Sequence, residues 1–203
     1  MLAITGGKGG CGKTTTALGL AVQLGKRRTD PVVVDADVDM PNLHIRAQAD
    51  DGGLDRLAAG HSIADAASAS SRFPNIDVIG ARPGAPLEEA LRAITTDRPV
   101  ILDGAAGASA RAVTPVQYAD GAVAVTRDTP ASITDTAKTI EMSRAVGTPV
   151  FATVVSRASD VSEPIADSID VEQITAIPTV DEPETHPEAR TAYSQILDNL
   201  INA

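Results

Sequence analysis

A glycine-rich segment directly after the first apolar run constrains the fold more than any other part of the 203-residue chain. It has the spacing G-x-x-x-x-G-K-[ST] and consists of Gly7, Lys8, Gly9, Gly10, Cys11, Gly12, Lys13 and Thr14. Residues 2–5 before it have the composition of a strand, and residues 13–24 after it have that of a helix. Glycines allow the backbone N–H groups to turn inward, and the helix N-terminus adds partial positive charge. The segment therefore predicts a phosphate-binding loop, and the alternative is a glycine-rich turn without a ligand.

Two side chains of this loop are predicted to act on a bound nucleotide. Lys13 is expected to bridge the β- and γ-phosphates, and the Thr14 hydroxyl is expected to ligate Mg²⁺. The other loop residues and Thr15 are expected to line the phosphates. Cys11 is expected to be a small filler rather than a reactive thiol.

Short apolar runs alternate with helix-like stretches along the whole chain, which is the pattern of a parallel α/β sheet. Most of the runs are continuous in Val, Ile and Ala, as expected where helices cover both faces. The predicted strands are 2–5, 31–35, 76–80, 100–103, 121–126, 149–156 and 173–177, and the predicted helices are 13–24, 86–94, 132–146 and 187–201. We find no repeat and no long linker, so residues 1–203 are expected to form a single domain with a mostly parallel central sheet.

The composition excludes several classes of protein. The formal net charge is −10, with 19 Asp and 8 Glu against 13 Arg and 4 Lys, which is typical of salt-accumulating microbes or of an ordinary acidic protein. An acidic surface argues against direct nucleic-acid binding. One cysteine excludes a disulfide framework and a four-thiolate metal site. No signal peptide and no apolar stretch of ~20 residues is found, so we expect a cytoplasmic protein.

Carboxylates follow two of the predicted strands. Asp35, Asp37 and Asp39 lie at the end of the second strand, and Asp103 ends the run Val100-Ile101-Leu102. In open α/β sheets ligands gather at the carboxyl ends of strands, so these side chains are candidates for a metal site. The alternative for the first three is acidic surface decoration.

The string KGGCGKTT resembles the deviant Walker A motif, KGGxGKT[ST], of the MinD/ParA group of P-loop ATPases. The resemblance covers most of the chain, and its specific motifs lie in residues 5–15, 33–43 and 99–107. It implies a P-loop fold that binds ATP and Mg²⁺, and a homodimer that forms on ATP binding. In that group the early lysine, here Lys8, reaches across the dimer interface to the partner's nucleotide. A lysine supplied in this way can act like an arginine finger.

The same resemblance implies roles for the carboxylates. Asp37 would orient the attacking water near Mg²⁺, Asp35 would support the water shell of the metal, and Asp39 would be a residue of the first switch loop rather than a ligand. Asp103, at the end of a hydrophobic strand, would hold the metal's water. The Gly107 amide in the second switch would sense the γ-phosphate.

Two regions depart from the family pattern. Relatives commonly have Thr or Ser after the strand-ending Asp and Pro in the middle of the second switch, where this chain has Gly104 and Ala105. Relatives also often carry Asn before Arg in the adenine-binding strand end, where this chain has Ser156 and Arg157. Residues 178–181 are expected to form the other wall of the base pocket.

The last predicted helix is amphipathic, with its apolar side chains at Tyr193, Ile196, Leu197, Leu200 and Ile201. Surface helices that bind membranes need cationic residues, and this helix has no Lys or Arg after Arg190. We therefore expect it to pack on the core and not to anchor the protein to a membrane directly.

The sequence therefore predicts an ATPase that dimerises with ATP, hydrolyses ATP slowly and positions or recruits a component of the cell. Its protein partner or cargo is unknown, and recruitment to a membrane or pole would go through that partner. One alternative is a nucleotide-binding regulatory module with little or no hydrolysis. Another is a small-molecule kinase or ligase, for which no second substrate site is evident. An iron–sulfur relative would need paired cysteines, which are absent.

Overall fold

The computed structural model describes residues 1–107 and 109–202, with side chains through Leu200. Within these residues the strands are β1 (Leu2–Thr5), β2 (Val32–Ala36), β3 (Ser68–Ala69), β4 (Asp77–Ile79), β5 (Val100–Gly104), β6 (Gly121–Arg127), β7 (Val150–Ser156) and β8 (Gln173–Ile177). The helices are α1 (Lys13–Lys26), α2 (Leu43–Ala47), α3 (Gly53–Ala58), α4 (Ile63–Ala66), α5 (Leu87–Ala93), α6 (Ala110–Gln117), α7 (Pro130–Ala145), α8 (Glu163–Ser168) and α9 (Pro187–Asn202).

The strands of the described residues form one sheet in the order β3-β4-β2-β5-β1-β6-β7-β8. Every neighbouring pair is parallel except β3 and β4, which are antiparallel. The mostly parallel sheet predicted from the sequence is confirmed, with all seven predicted strands present and the two-residue β3 missed. Strand β1 lies inside the sheet, so the loop that follows it starts from a fully paired strand.

Alternating side chains of the strands face two separate layers of helices. Val33 packs in the cluster that contains α1 and α9, whereas Val32 and Val34 pack in the cluster that contains α3 and α5. Helices α7 and α8 cover the β6–β7 part of that second face. All three valines are completely buried. Helices therefore flank both faces, which explains why these strands are continuous in apolar residues.

Helix α9 packs closely against α1. Its residues Tyr193, Ile196 and Leu197 are at most 4% exposed, and a Cβ added at Gly19 of α1 would lie 2.3 Å from the Tyr193 ring. The expectation that this helix packs on the core is confirmed for those three residues, while the side chain of Ile201 lies outside the described part of the chain. Among the described residues no helix is long and apolar enough to span a membrane.

The four predicted helices are present with ends shifted by one or two residues, and five short helices were missed. Helix α7 begins after an N-cap at Thr129, whose hydroxyl accepts a hydrogen bond from the Ser132 amide at 3.4 Å. Helix α6 contains Pro115, which removes one backbone hydrogen-bond donor. A proline inside a segment argues against a helix, so sequence patterns did not predict α6.

Candidate functional site

The glycine-rich loop connects the end of β1 to the first residue of α1. Gly12 caps the helix with φ 104°, a left-handed conformation that favours glycine. A Cβ at Gly7 would lie 2.3 Å from the carbonyl carbon of Asp135, so α7 approaches the loop too closely for any side chain there. The two glycines therefore fix the path of a loop that leads directly into the N-terminus of α1, as a phosphate-binding loop requires.

Cys11 and Ser156 stabilise the position of this loop. Cys11 is 1% exposed, and burial raises the pKa of its thiol. A buried neutral thiol acts as a small apolar filler, in agreement with the prediction. The Ser156 hydroxyl donates a hydrogen bond to the Cys11 carbonyl, so its position supports the loop as well as bordering the predicted base pocket.

The two loop lysines occupy different environments. Lys13 is 8% exposed and lines a cleft of about 590 Å³, together with Gly9, Gly10 and Thr14. We call this cavity the phosphate cleft. Lys8 is exposed, does not line the phosphate cleft and has no ion pair with any residue that the structure describes. Lys13 can therefore contact an anion bound by its own chain, whereas Lys8 does not line the cleft of its own chain.

Asp103 and Thr14 meet the requirements of a Mg²⁺ site. Asp103 is 2% exposed, and its Oδ1 atom is buried without a hydrogen-bond partner in the described residues. Burial raises the pKa of Asp103 to about 7, while the neighbouring Thr14 hydroxyl and the Lys13 charge act in the opposite direction. A bound Mg²⁺ would supply the missing partner of Oδ1 through a direct or water-mediated contact.

The described residues contain no group of three or more His, Cys, Asp or Glu side chains that could hold a metal ion alone. Mg²⁺ commonly takes one or two protein oxygens and fills its other positions with phosphate oxygens and water. The donor set of one hydroxyl and one carboxylate therefore fits a Mg²⁺ that arrives with a nucleotide.

Asp35 organises the segment that follows β2. It is 1% exposed and lies beside Asp103 in the register of β2 and β5. Its carboxylate accepts hydrogen bonds from the amides of Asp37, Asn42 and Leu43 at 3.2, 3.1 and 3.0 Å. Burial and the Asp103 charge raise the pKa of Asp35 to about 7. The structure thus places Asp35 as an anchor for the start of α2, and its predicted support of metal-bound water stays a prediction.

Asp37 and Asp39 differ in what they face. Asp37 is partly exposed and lines the phosphate cleft, while its Oδ1 atom accepts a hydrogen bond from the Met40 amide at 3.3 Å. Asp39 does not line the phosphate cleft and forms an ion pair with Arg111 of α6. Only Asp37 of the two is therefore placed to contact a water molecule at the phosphates, and its predicted role stays open to experiment.

The predicted second switch, residues 103–107, contacts the phosphate loop directly. The Gly107 amide donates a hydrogen bond to the Gly6 carbonyl at 3.0 Å, and Gly107 has φ 87°. A Cβ at Gly104 would lie 2.8 Å from the Ile4 carbonyl oxygen, so β5 needs glycine there to pack against β1. The Gly107 amide must exchange its Gly6 partner for a phosphate oxygen if it senses the γ-phosphate as predicted.

A second cavity of about 270 Å³ adjoins the phosphate cleft. We call it the base cavity, and it is lined by Ser156, Arg157, residues 178–183 and Tyr193, among others. The structure therefore brings together the residues that were expected to form the two walls of the base pocket. Gly12, Thr15, Arg46 and Arg157 line both cavities, so a single elongated ligand can occupy them.

Sequence reasoning missed two arginines at this site. Arg46 of α2 and Arg72 line the phosphate cleft and form ion pairs with Glu184 and Glu182 at 2.6 and 3.1 Å. The partners are 138 and 110 residues away in sequence. Such pairs leave no local pattern, and only an alignment with covariation could have indicated them.

Comparisons with known proteins agree with this geometry. An uncharacterised ATP-binding protein of Methanocaldococcus jannaschii is 31% identical over 94% of this chain and 76% of its own length. The structure is similar to the septum site-determining protein MinD of Pyrococcus horikoshii OT3, solved with Mg-ADP, with a TM-score of 0.85 and 23% identity over 98% of this chain and 94% of that one. It is also similar to the cell division ATPase MinD of Pyrococcus furiosus, with a TM-score of 0.81 and 24% identity over 99% and 98% of the two chains. Residues 2–171 match the CobQ/CobB/MinD/ParA nucleotide binding domain, and the chain belongs to this family.

Proposed function

We propose that this protein is an ATP-hydrolysing switch: it binds ATP with Mg²⁺, forms a homodimer in that state, recruits or positions a partner and then hydrolyses the nucleotide. The observation that carries the proposal is the different placement of the two loop lysines. Lys13 is buried at the cleft of its own chain, and Lys8 is exposed beside it. One chain can thus supply a lysine to its own nucleotide and a second lysine to a neighbour's.

The donor set supports ATP and Mg²⁺ as ligands. Lys13 and the N-terminus of α1 supply positive charge for the phosphates, and Thr14 with Asp103 supplies oxygens for the metal. The similar Pyrococcus horikoshii protein was solved with Mg-ADP, and the Methanocaldococcus jannaschii relative is named as ATP-binding. When bound, Mg²⁺ would neutralise charge that develops on the phosphate oxygens.

Hydrolysis requires a water molecule in line with the γ-phosphate. Asp37 is the partly exposed carboxylate of the first switch that lines the phosphate cleft, so it can accept a hydrogen bond from that water. Lys13, and Lys8 from the second copy, would stabilise the charge on the transferred phosphoryl group. Positioning of the water and stabilisation of charge are therefore assigned to different side chains.

Exposed apolar side chains at the cleft support an interaction with another protein chain. Met40 is 72% exposed and Ile45 is 69% exposed, and both line the phosphate cleft. The residues lie in or next to the first switch, so a change in this segment on ATP binding would alter the surface they present. A second copy and a partner protein could use this surface in turn.

Light scattering coupled to gel filtration, run with phosphate-release assays, tests the proposal. Wild type should be a monomer without nucleotide and a dimer with ATP and Mg²⁺. Lys8→Ala should lose both the dimer and hydrolysis yet still bind nucleotide. Asp37→Ala should keep the dimer and lose hydrolysis. Lys26→Ala, at the other end of α1, is the matched control and should behave as wild type.

Two results would contradict parts of the proposal. Normal dimerisation and turnover by Lys8→Ala would show that Lys8 is an ordinary surface residue and that the family mechanism does not transfer. ATP binding by wild type without phosphate release, alone or with candidate partners, would favour the regulatory module without hydrolysis.

A further inference from the structure

Arg46 lies where the phosphate cleft meets the base cavity. It lines both of them, as does Arg157 from the loop after β7. A nucleotide with its phosphates on the glycine-rich loop and its base in the base cavity would pass the residues that line both cavities, Arg46 and Arg157 among them. The part of the nucleotide at that point is its α-phosphate and ribose.

A buried carboxylate fixes the position of Arg46. Glu184 is completely buried, whereas the Arg46 side chain is 40% exposed. The Glu184 Oε1 atom accepts a hydrogen bond from Arg46 Nε at 2.7 Å and lies 2.6 Å from Arg46 Nη2. A guanidinium has five N–H donors, and this contact leaves the Nη1 edge of Arg46 without a hydrogen-bond partner in the part of the chain that the structure describes. The exposed edge is thus held in one orientation and open to a ligand.

The distribution of charge favours an anionic ligand at this point. The chain carries a net charge of −10. Four cationic residues nevertheless line the phosphate cleft, namely Lys13, Arg46, Arg72 and Arg157, and among the described residues Asp37 is the single acidic one that lines it. Arg157 forms no ion pair with any described residue. Cations gathered in one cleft of an acidic protein stabilise a polyanion such as a nucleotide.

We propose that Arg46, anchored by Glu184, is a specificity-determining residue that binds the α-phosphate and ribose of the nucleotide opposite Arg157. This inference rests on the proposed function, since it assumes that the two cavities hold one nucleotide. It assigns Glu184 as a positioning residue that acts through Arg46. Arg46 belongs to α2, whose first residue, Leu43, donates an amide hydrogen bond to Asp35 beside the predicted metal site. The inference therefore links the base side of the site to the metal side through α2.

Titration of fluorescent ADP and of inorganic phosphate, each with Mg²⁺, tests the inference. Inorganic phosphate is a single group without a neighbouring phosphate or ribose, so it measures the glycine-rich loop separately. Arg46→Gln should weaken ADP binding about tenfold or more, as expected for loss of a charge-assisted hydrogen bond, and should change phosphate binding far less. Arg92→Gln is the matched control, since Arg92 lines neither cavity and pairs with the exposed Glu88 on the same helix. It should leave the ratio of the two affinities unchanged.

The double variant Arg46→Gln, Glu184→Gln covers the case in which the single variant fails to fold. Two amides can keep a hydrogen bond and leave no uncompensated buried charge, so this protein should fold and show the same loss for ADP. Wild-type affinity for ADP in either folded variant would overturn the inference, as would equal weakening of ADP and inorganic phosphate. Failure of wild type to bind ADP at all would instead refute the proposed function.

Discussion

Replacing Asp103 with Asn should stabilise the nucleotide-free protein while weakening its binding of Mg²⁺ and nucleotide. Asp103 is 2% exposed and has an unpaired buried oxygen. Its pKa is about 7 in the folded protein against an ordinary value of 3.8. At roughly 1.4 kcal/mol per pH unit, holding this carboxylate ionised costs the fold about 4 kcal/mol at pH 8. A buried neutral amide also has a desolvation cost, so we expect a gain of about 2–4 kcal/mol.

The sign of the pH dependence follows from the two pKa values. Between about pH 4 and pH 7 the folded state binds more protons than the unfolded state, so wild-type stability falls as the pH rises through this range. The Asn variant lacks the contribution of Asp103 and keeps a smaller one from Asp35, because burial alone then raises the pKa that the Asp103 charge helps to raise to about 7 in wild type. The difference in unfolding free energy between the two proteins should therefore be less than half as large at pH 5 as at pH 8.

Urea unfolding followed by circular dichroism, in buffer free of nucleotide and divalent metal, measures this difference at pH 5, 6.5 and 8. Asp97→Asn, at an exposed position, is the control and should unfold like wild type. Equal midpoints for Asp103→Asn and wild type at pH 8 would refute the reasoning, as would a stabilisation that does not change with pH. A parallel titration with Mg-ADP should show a loss of affinity in Asp103→Asn alone.

Three further predictions concern the whole protein. The melting temperature should be higher in ~2 M than in ~0.1 M KCl, because clustered carboxylates repel at the longer screening length; an equal or higher value in dilute buffer would argue for an ordinary acidic protein. The purified protein should neither pellet with anionic vesicles in the presence of ATP nor shift DNA in a gel, since Tyr193, Ile196 and Leu197 of α9 are buried and the net charge is −10; robust pelleting would show that α9 can leave the core. Gly19→Ala should lower the free energy of unfolding by about 1–3 kcal/mol because its Cβ would overlap the buried Tyr193 ring; an unchanged urea midpoint would show that α9 can shift at no cost.

The parts of the structure that sequence could predict are those with a local signal. The glycine-rich loop has fixed spacing, and the seven longer strands have continuous apolar runs. The two-residue β3 and the four-residue α4 are too short for periodicity to develop. Helix α6 contains Pro115, which argues against a helix unless the surrounding packing is known.

At the site, sequence indicated which residues line the two cavities better than what each side chain contacts. The role expected for Asp35 at the metal's water shell stays a prediction, and the hydrogen bonds that its oxygens accept from three backbone amides had no signal in the sequence. Ser156 was expected at the base, and its hydroxyl is bonded to the phosphate loop. These contacts depend on how β2 and β7 end in space, which neither spacing nor composition specifies.

The position of β1 in the sheet has a consequence for how the protein opens. Two strands lie between β1 and the edge strand β8, and three lie between β1 and β3 at the opposite edge. Local opening starts where strands lack a second neighbour, so amide hydrogens near both edges should exchange with solvent well before those of β1, β2 and β5. The peripheral strands can fray while the phosphate loop keeps its shape. An antiparallel edge of only two residues also offers other chains little backbone to pair with, which limits aggregation even while that edge is open.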